Sequence, residues 1–259
     1  MESGDGAYAQ PTPGRLYIHD DLTDDVAREH GPGSPAAVAA RDLVTLLARD
    51  AHVRVLTLAE QVEAIAAQGP HPPFETAVAI GAAGQRVART LHARTGWFPV
   101  IRRVGLTREE DGAGGYRLVS TDGGELGPRL ADLAGCSSLA VVDDTVFSGL
   151  TMKELIGALP ASGRARTHAF CLRGVAESIA SVAALCPITA GVTAPGRILH
   201  DVSFINASGL VRRIAIRRPG RPALAFFDRP EWIRAWFPSS PELVLARCRA
   251  LNALLEPPA

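Results

Sequence analysis

The sequence of 259 residues contains a single lysine, Lys153, and has no net charge, because 27 basic residues balance 27 acidic ones. Since the other basic residues are arginines, a mobile catalytic lysine is not expected. A chain without net charge has no broad attraction for polyanions, so nucleic acid is not predicted as its main partner. One local group of arginines is interpreted as a solvated strand edge and turn: Arg212, Arg213, Arg217, Arg218 and Arg221.

The four cysteines lack the spacing of a metal site or a redox motif. We expect all of them to be reduced and mostly buried: Cys136, Cys171, Cys186 and Cys248. No apolar run reaches the length of a membrane span, and the polar, acidic start of the chain has no signal-peptide pattern. These absences predict a cytoplasmic protein without a membrane partner.

Apolar strands and amphipathic helices alternate through the middle of the chain. This order predicts a parallel sheet with helices on both faces and ligands at the carboxyl ends of the strands. The strands are expected at 76–80, 98–104, 139–142, 167–172 and 188–192, and the helices at 85–95, 151–159 and 176–185.

The flanking segments differ from this core in composition. We expect a disordered tail at 1–14, an N-terminal hood at 15–74, the core at 75–195 and a C-terminal flap at 196–259. The hood should hold strands at 15–18 and 53–58 and helices at 36–49 and 59–67. The flap should hold one or two strands, an aromatic-rich turn or helix, and a final helix at 241–255.

The stretch 138–151, SLAVVDDTVFSGLT, is the most informative part of the sequence. It predicts a buried strand at 139–142 with Asp143 and Asp144 at its carboxyl end, then a tight loop that runs into a helix. Backbone N–H groups and the helix dipole favour an anion there, beside the hydroxyls of Thr145, Ser148 and Thr151. Paired carboxylates suit vicinal hydroxyls, with or without Mg²⁺. A phosphate next to a diol is a sugar phosphate, although a capped helix after an acidic turn needs no ligand.

This arrangement resembles the motif with which type I phosphoribosyltransferases bind PRPP (5-phosphoribosyl 1-diphosphate). Phe147 departs from the motif, because a small hydroxyl residue is commoner at its position. The resemblance implies that Asp143 and Asp144 are catalytic, hold the ribose 2- and 3-hydroxyls and ligate Mg²⁺. It also implies that one loop cradles the 5-phosphate, through Thr145, Val146, Phe147, Ser148, Gly149, Leu150 and Thr151.

A second loop holds the leaving pyrophosphate in this family, after the first core strand. Here AVAIGAAG at 77–84 is followed by a helix and the strand FPVIRRV. Small residues let backbone N–H groups approach an anion closely, although an ordinary strand-to-helix turn has the same composition. The resemblance assigns pyrophosphate binding to Ala82, Ala83, Gly84 and Gln85, and a cis peptide often lies near the second of these in the family.

Two arginines, Arg102 and Arg103, replace the Arg-Lys pair that ends the next strand of the family. Either could bind pyrophosphate through two hydrogen bonds and take part in catalysis. Because side chains alternate along a strand, only one should face the ligand, and the sequence does not choose between them.

The polar stretch 106–128 occupies the place of the family's mobile catalytic loop and could fold as a β-hairpin over bound PRPP. Its candidate contacts are Glu109, Glu110, Tyr116 and Arg117, and a solvated loop without chemistry is the alternative. His200 and Asp201 could serve as a base and its orienting group, but a turn histidine beside a capping aspartate is preferred. The same interpretation applies to 19–21, HDD.

The sequence therefore predicts a type I phosphoribosyltransferase-like α/β protein of nucleotide metabolism. It would transfer the 5-phosphoribosyl group from PRPP to a nucleobase or another small planar acceptor and release pyrophosphate. A PRPP-sensing regulator without turnover is the alternative, and a diphosphotransferase that makes PRPP would need an ATP site that is not evident. Aromatic residues of the flap suit stacking on the acceptor, a subdomain core or a homodimer interface: Phe226, Phe227, Trp232, Trp236 and Phe237.

Overall fold

The computed structural model describes residues 12–110 and 116–256. Most of the predicted disordered tail, and the middle of the predicted mobile loop, lie outside these ranges. The described residues divide into two compact units. The core unit takes its residues from Leu58–Arg108 and Leu118–Ile198, and the terminal unit from Met1–Thr57, Glu109–Arg117 and Leu199–Ala259.

The strands in the described ranges are numbered along the chain. They are β1 (Arg15–Asp20), β2 (Val53–Thr57), β3 (Thr76–Ile80), β4 (Ile101–Val104), β5 (Leu106–Glu110), β6 (Tyr116–Ser120), β7 (Leu139–Val146), β8 (Thr167–Val175), β9 (Ile188–Ala194), β10 (Val202–Asn206), β11 (Ile216–Arg218) and β12 (Arg221–Leu224).

The α-helices are numbered in the same way, and two short 3-10 turns lie at Ala131–Gly135 and Phe226–Asp228. The helices are α1 (Thr23–His30), α2 (Pro35–Leu47), α3 (Leu58–Ala66), α4 (Gly81–Thr95), α5 (Leu126–Leu130), α6 (Leu150–Ala158), α7 (Ala161–Arg164), α8 (Ala176–Ala183), α9 (Ala207–Val211), α10 (Pro230–Trp236) and α11 (Pro241–Leu255). Among the described residues, no helix has both the length and the apolar character needed to cross a membrane.

The core unit is built on a five-stranded sheet in the order β4-β3-β7-β8-β9, and all of its neighbouring strands are parallel. Alternate residues of β3 supply its two faces. Val78 packs with α5 and α6 on one face, whereas Ala77 and Ala79 pack with α3 and α4 on the other. The α/β fold with helices on both faces of a parallel sheet is therefore confirmed.

The terminal unit has its own parallel sheet, in the order β10-β1-β2. Its core contains apolar residues of β1, α2, α10 and α11. Four aromatic residues predicted for the flap are buried in that core, at Phe227, Trp232, Trp236 and Phe237. Among the three interpretations of these side chains, the structure bears out the subdomain core.

Several elements differ from the sequence-based expectations. The expected elements of the hood do not include the helix α1, and just before this helix the carboxylate of Asp20 accepts hydrogen bonds from the backbone N–H groups of Leu22 and Thr23. In the polar stretch 106–128, the pairing of β5 with β6 agrees with the β-hairpin expected there, whereas the helix α5, which begins at Leu126, is not among the expected elements. Periodicity misses the helices α1 and α5 because they are short.

Candidate active site

The two aspartates of the motif lie inside β7, which continues four residues beyond the expected end of the strand. Asp143 and Thr145 are in register with Cys171 and Arg173 of β8, so ladder pairing carries the strand through the acidic pair. The Asp143 side chain is buried and accepts a hydrogen bond of 2.8 Å from the backbone N–H of Asp144. Burial, and to a lesser degree the negative charge of Asp144, raise the pKa of Asp143 well above its ordinary value.

Asp144 faces a buried guanidinium that the sequence-based analysis missed. Its Oδ2 atom lies 3.4 Å from Nη2 of Arg173, whose side chain is only 1% exposed. The only sequence signal for this residue is one arginine inside the apolar run FCLRGV of β8. Such a signal does not separate an exposed strand residue from a buried functional one.

The loop after β7 has the local geometry of an anion site. Gly149 adopts φ 73°, a left-handed conformation that favours glycine, and α6 begins at the next residue. The Thr145 hydroxyl oxygen is buried and makes no hydrogen bond within the described part of the chain. Ser148 lies exposed before the helix, and the carbonyl of Phe147 accepts a hydrogen bond of 2.6 Å from the Ser178 hydroxyl.

Gly84 brings the predicted pyrophosphate segment against the middle of β7, beside Asp143. A Cβ atom on Gly84 would lie 2.5 Å from the carbonyl oxygen of Val142 and 3.3 Å from Cα of Asp143. Helix α4 already begins at Gly81, four residues earlier than expected, so the segment 82–85 forms its first turn. Its first N–H groups have no partner within the helix, which makes this turn a potential anion site. The cis peptide that the family resemblance suggested is absent, because the described peptide bonds are trans.

The two candidate arginines of β4 have different partners. Arg102 places Nη1 at 2.8 Å from both carboxylate oxygens of Asp132, an exposed ion pair that lowers the pKa of that aspartate. Arg103 lies 3.7 Å from a carboxylate oxygen of Asp122 and is half exposed. Asp122 pairs more closely with Arg129, at 2.7 Å. Of the two arginines of β4, Arg103 therefore has the longer and weaker ion pair.

Other candidate residues are not part of this edge of the core unit. Glu109, Glu110, Tyr116 and Arg117 group with the terminal unit, and Arg117 lies 3.4 Å from the Glu109 carboxylate. His200 and Asp201 form an exposed pair at 2.8 Å, also in the terminal unit.

The remaining two predicted groups also lie in the terminal unit. In the HDD segment, Asp21 accepts hydrogen bonds from the backbone and hydroxyl of Ser208. In the arginine group, Arg212 pairs with Glu29 and Arg213 pairs with Asp228.

The candidate metal donors are the carboxylates of Asp143 and Asp144. Within residues 12–110 and 116–256, no group of three or more His, Cys, Asp and Glu side chains is arranged to hold a metal ion. Mg²⁺ prefers hard oxygen ligands, and it commonly binds through one or two carboxylates together with water and substrate phosphates. Two adjacent carboxylates within β7 therefore fit a Mg²⁺ ion held mainly by the oxygens of a bound substrate.

Comparison with known proteins identifies similar solved structures at low identity. No protein-family model and no curated protein matches the chain. A purine phosphoribosyltransferase from Pyrococcus horikoshii is 16% identical, with 57% of this chain and 89% of that chain covered and a TM-score of 0.36. APRTase from Giardia lamblia, complexed with 9-deazaadenine, is 17% identical over 53% and 79%, with a TM-score of 0.35. The xanthine-guanine-hypoxanthine phosphoribosyltransferase of Helicobacter pylori is 9% identical over 73% and 90%, with a TM-score of 0.32.

Proposed function

We propose that this protein is a phosphoribosyltransferase that transfers the 5-phosphoribosyl group of PRPP to a planar acceptor, with a nucleobase as the leading class. The observation that carries the proposal is the close approach of Gly84 to Val142 and Asp143. It puts a helix start, whose first N–H groups have no partner within the helix, next to a carboxylate pair, and the loop to α6 continues from the same strand. Pyrophosphate, diol and 5-phosphate subsites would then adjoin at one edge of the core sheet.

Each segment has a role in this proposal. Asp143 and Asp144 would bind the ribose hydroxyls, and the loop 145–151 would bind the 5-phosphate through its N–H groups and hydroxyls. The first turn of α4 would bind the leaving pyrophosphate, and Arg103 would neutralise part of its charge. Mg²⁺, held by the two aspartates together with substrate oxygens, would supply further positive charge to the pyrophosphate.

The reaction requires no protein nucleophile. The bond between ribose C1 and the pyrophosphate oxygen breaks, its electron pair leaves with pyrophosphate, and the acceptor nitrogen forms a bond to C1 and later loses its proton. Positive charge develops on the ribose ring while negative charge develops on the leaving group. The chain would therefore accelerate transfer by positioning the reactants and stabilising these charges.

Calorimetric titration of PRPP with Mg²⁺ tests the binding half of the proposal. We expect the Asp143→Asn/Asp144→Asn variant to bind PRPP about 100-fold more weakly, because charged hydrogen bonds contribute about 1.5–3 kcal/mol each. Asp42→Asn, an exposed change on α2, is the matched control and should leave affinity unchanged. Equal affinity of wild type and the double variant would rule out the ribose subsite.

A screen for pyrophosphate release with candidate acceptors tests the transfer half. The enzyme should release pyrophosphate with at least one planar nitrogen acceptor, and the aspartate double variant should not. A PRPP-sensing protein would bind PRPP and release no pyrophosphate with any acceptor. This outcome would retain the subsites and replace transfer by sensing.

A further inference from the structure

Arg173 is the largest fully buried side chain in the described part of the chain, and it lies beside the candidate ribose subsite. It sits on β8 in register with Thr145 of β7. Removing a guanidinium from water costs several kcal/mol even after relaxation of the protein. A cation at such a place therefore needs a negative group and further hydrogen bonds close by.

Two side chains on different elements meet this guanidinium. Nη2 lies 3.4 Å from Oδ2 of Asp144, and Nη1 lies 3.4 Å from Oε1 of Gln61 on α3. Gln61 is itself fully buried. Its backbone is fixed against β9, because a Cβ on Gly191 would lie 2.5 Å from the carbonyl oxygen of Gln61. Arg173 thus connects the amide of a buried glutamine, whose backbone packs closely against β9, to the Asp144 carboxylate.

From this geometry we propose that Arg173 is a positioning residue for Asp144, and that Gln61 fixes the guanidinium in the orientation needed for this. The inference rests on the proposed function, since it concerns the carboxylate assigned to the ribose hydroxyls. Arg173 contributes to ribose binding through Asp144, because its hold on one carboxylate oxygen fixes the orientation in which the carboxylate meets the sugar. A planar guanidinium with several donors can hold both partners at once, whereas an ammonium is a point charge.

The test compares two ligands that use different parts of the site, ribose 5-phosphate and inorganic pyrophosphate, each titrated with Mg²⁺. Arg173→Gln should lower the affinity for ribose 5-phosphate by about 10-fold or more, as expected for a lost charged hydrogen bond. Its affinity for pyrophosphate should change less than about 2-fold. If Arg173 only supported the fold, the substitution would lower the affinity for both ligands by similar factors.

A double-mutant cycle with Asp144→Asn shows whether Arg173 acts through that carboxylate. Arg173→Gln should weaken the binding of ribose 5-phosphate when Asp144 is present, and it should have little further effect on this binding in the Asp144→Asn background. If the glutamine variant does not fold, the same cycle is measured with Arg173→Lys, which keeps the buried positive charge. The loss of affinity for ribose 5-phosphate caused by Arg173→Lys should be smaller in the wild-type background and absent in the Asp144→Asn background.

The outcomes separate this inference from the proposed function. Failure of wild type to bind PRPP contradicts the proposed function. Normal binding by wild type, with additive effects of the two substitutions or equal losses for both ligands, contradicts the role of Arg173 alone. Circular dichroism and thermal unfolding of each variant identify any change that reflects loss of the fold.

Discussion

Replacing Gly84 by alanine perturbs the contact on which the proposed site depends. Gly84 lies in the first turn of α4, where its Cα faces the backbone of Val142 and Asp143 in β7 without an intervening side chain. The added methyl group would lie 2.5 Å from the Val142 carbonyl oxygen. The position of the methyl group is set by the backbone of residue 84, and the oxygen belongs to the backbone of Val142, so no side-chain rotation relieves the overlap.

The size of the effect follows from this distance. Restoring a contact of about 3.2–3.5 Å requires the start of α4 to move by about 0.7–1 Å. Overpacking of this kind costs about 1–3 kcal/mol, and the better helix propensity of alanine returns up to about 1 kcal/mol. We therefore expect a net loss of about 0–3 kcal/mol in the free energy of unfolding. Ligand binding should respond more strongly, because a 1 Å misplacement of positioning groups can cost about 100-fold in catalysis.

Pyrophosphate titration of Gly84→Ala, together with thermal unfolding, measures both effects. We expect at least about 10-fold weaker binding of pyrophosphate. Gly157→Ala is the matched control, since Gly157 lies in α6 and a Cβ there meets nothing within 4 Å. That change should add about 0.5–1 kcal/mol of stability and leave pyrophosphate binding unchanged. Unchanged affinity in Gly84→Ala would refute the assignment of this turn to pyrophosphate.

Two further predictions concern groups outside the carboxylate pair. Ser178→Ala removes the 2.6 Å hydrogen bond to the Phe147 carbonyl, so we expect about 1 kcal/mol lower stability and several-fold weaker PRPP binding. Thermal unfolding and titration check this, and Ser162→Ala, on α7, is the control. At the opposite edge of the sheet, burial and the nearby His71 ring lower the pKa of His168 to about 4. A histidine titrates near 6.5 when unfolded, so the folded state binds fewer protons and stability should fall as pH decreases from about 7 towards 4. If the whole shift in pKa contributed, protonation would remove about 3 kcal/mol of stability, and because the ring is partly exposed we expect about 1–2 kcal/mol. His168→Phe should reduce this dependence in urea unfolding at pH 7 and pH 5, and an unchanged slope would contradict the argument.

Elements with strong local signals could be predicted from the sequence, and elements that depend on tertiary contacts could not. Strand β3 has the expected bounds, because its apolar run is bordered by polar and glycine residues. Helix α11 also matches, since Pro241 marks its first turn. By contrast, β7 extends through Asp143 and Asp144, which no propensity would place in a strand. Pairing with β8 overrides the local preference there.

The residues of the candidate site also fall into those that local sequence reveals and those that only tertiary packing brings together. Hydroxyl, glycine and carboxylate residues at fixed offsets could be recognised along the chain, because one loop brings them together. Arg173 and Gln61 are 112 residues apart in sequence, and only the packing of α3 against β8 and β9 joins them.

The acceptor is the part of the proposed reaction for which local patterns are least informative. The aromatic residues that suggested stacking on a planar ring form tilted and edge contacts with one another, among them Trp232 and Trp236 at 5.7 Å. Both side chains are at least 95% buried in the core of the terminal unit, so their ring faces are already occupied. A stacking platform needs an exposed face, as well as a rigid support beneath it. The same aromatic composition suits a stacking platform or a hydrophobic core, and the burial of the side chains distinguishes the two. In the proposed reaction, the acceptor would therefore have to be bound by groups other than these two tryptophans.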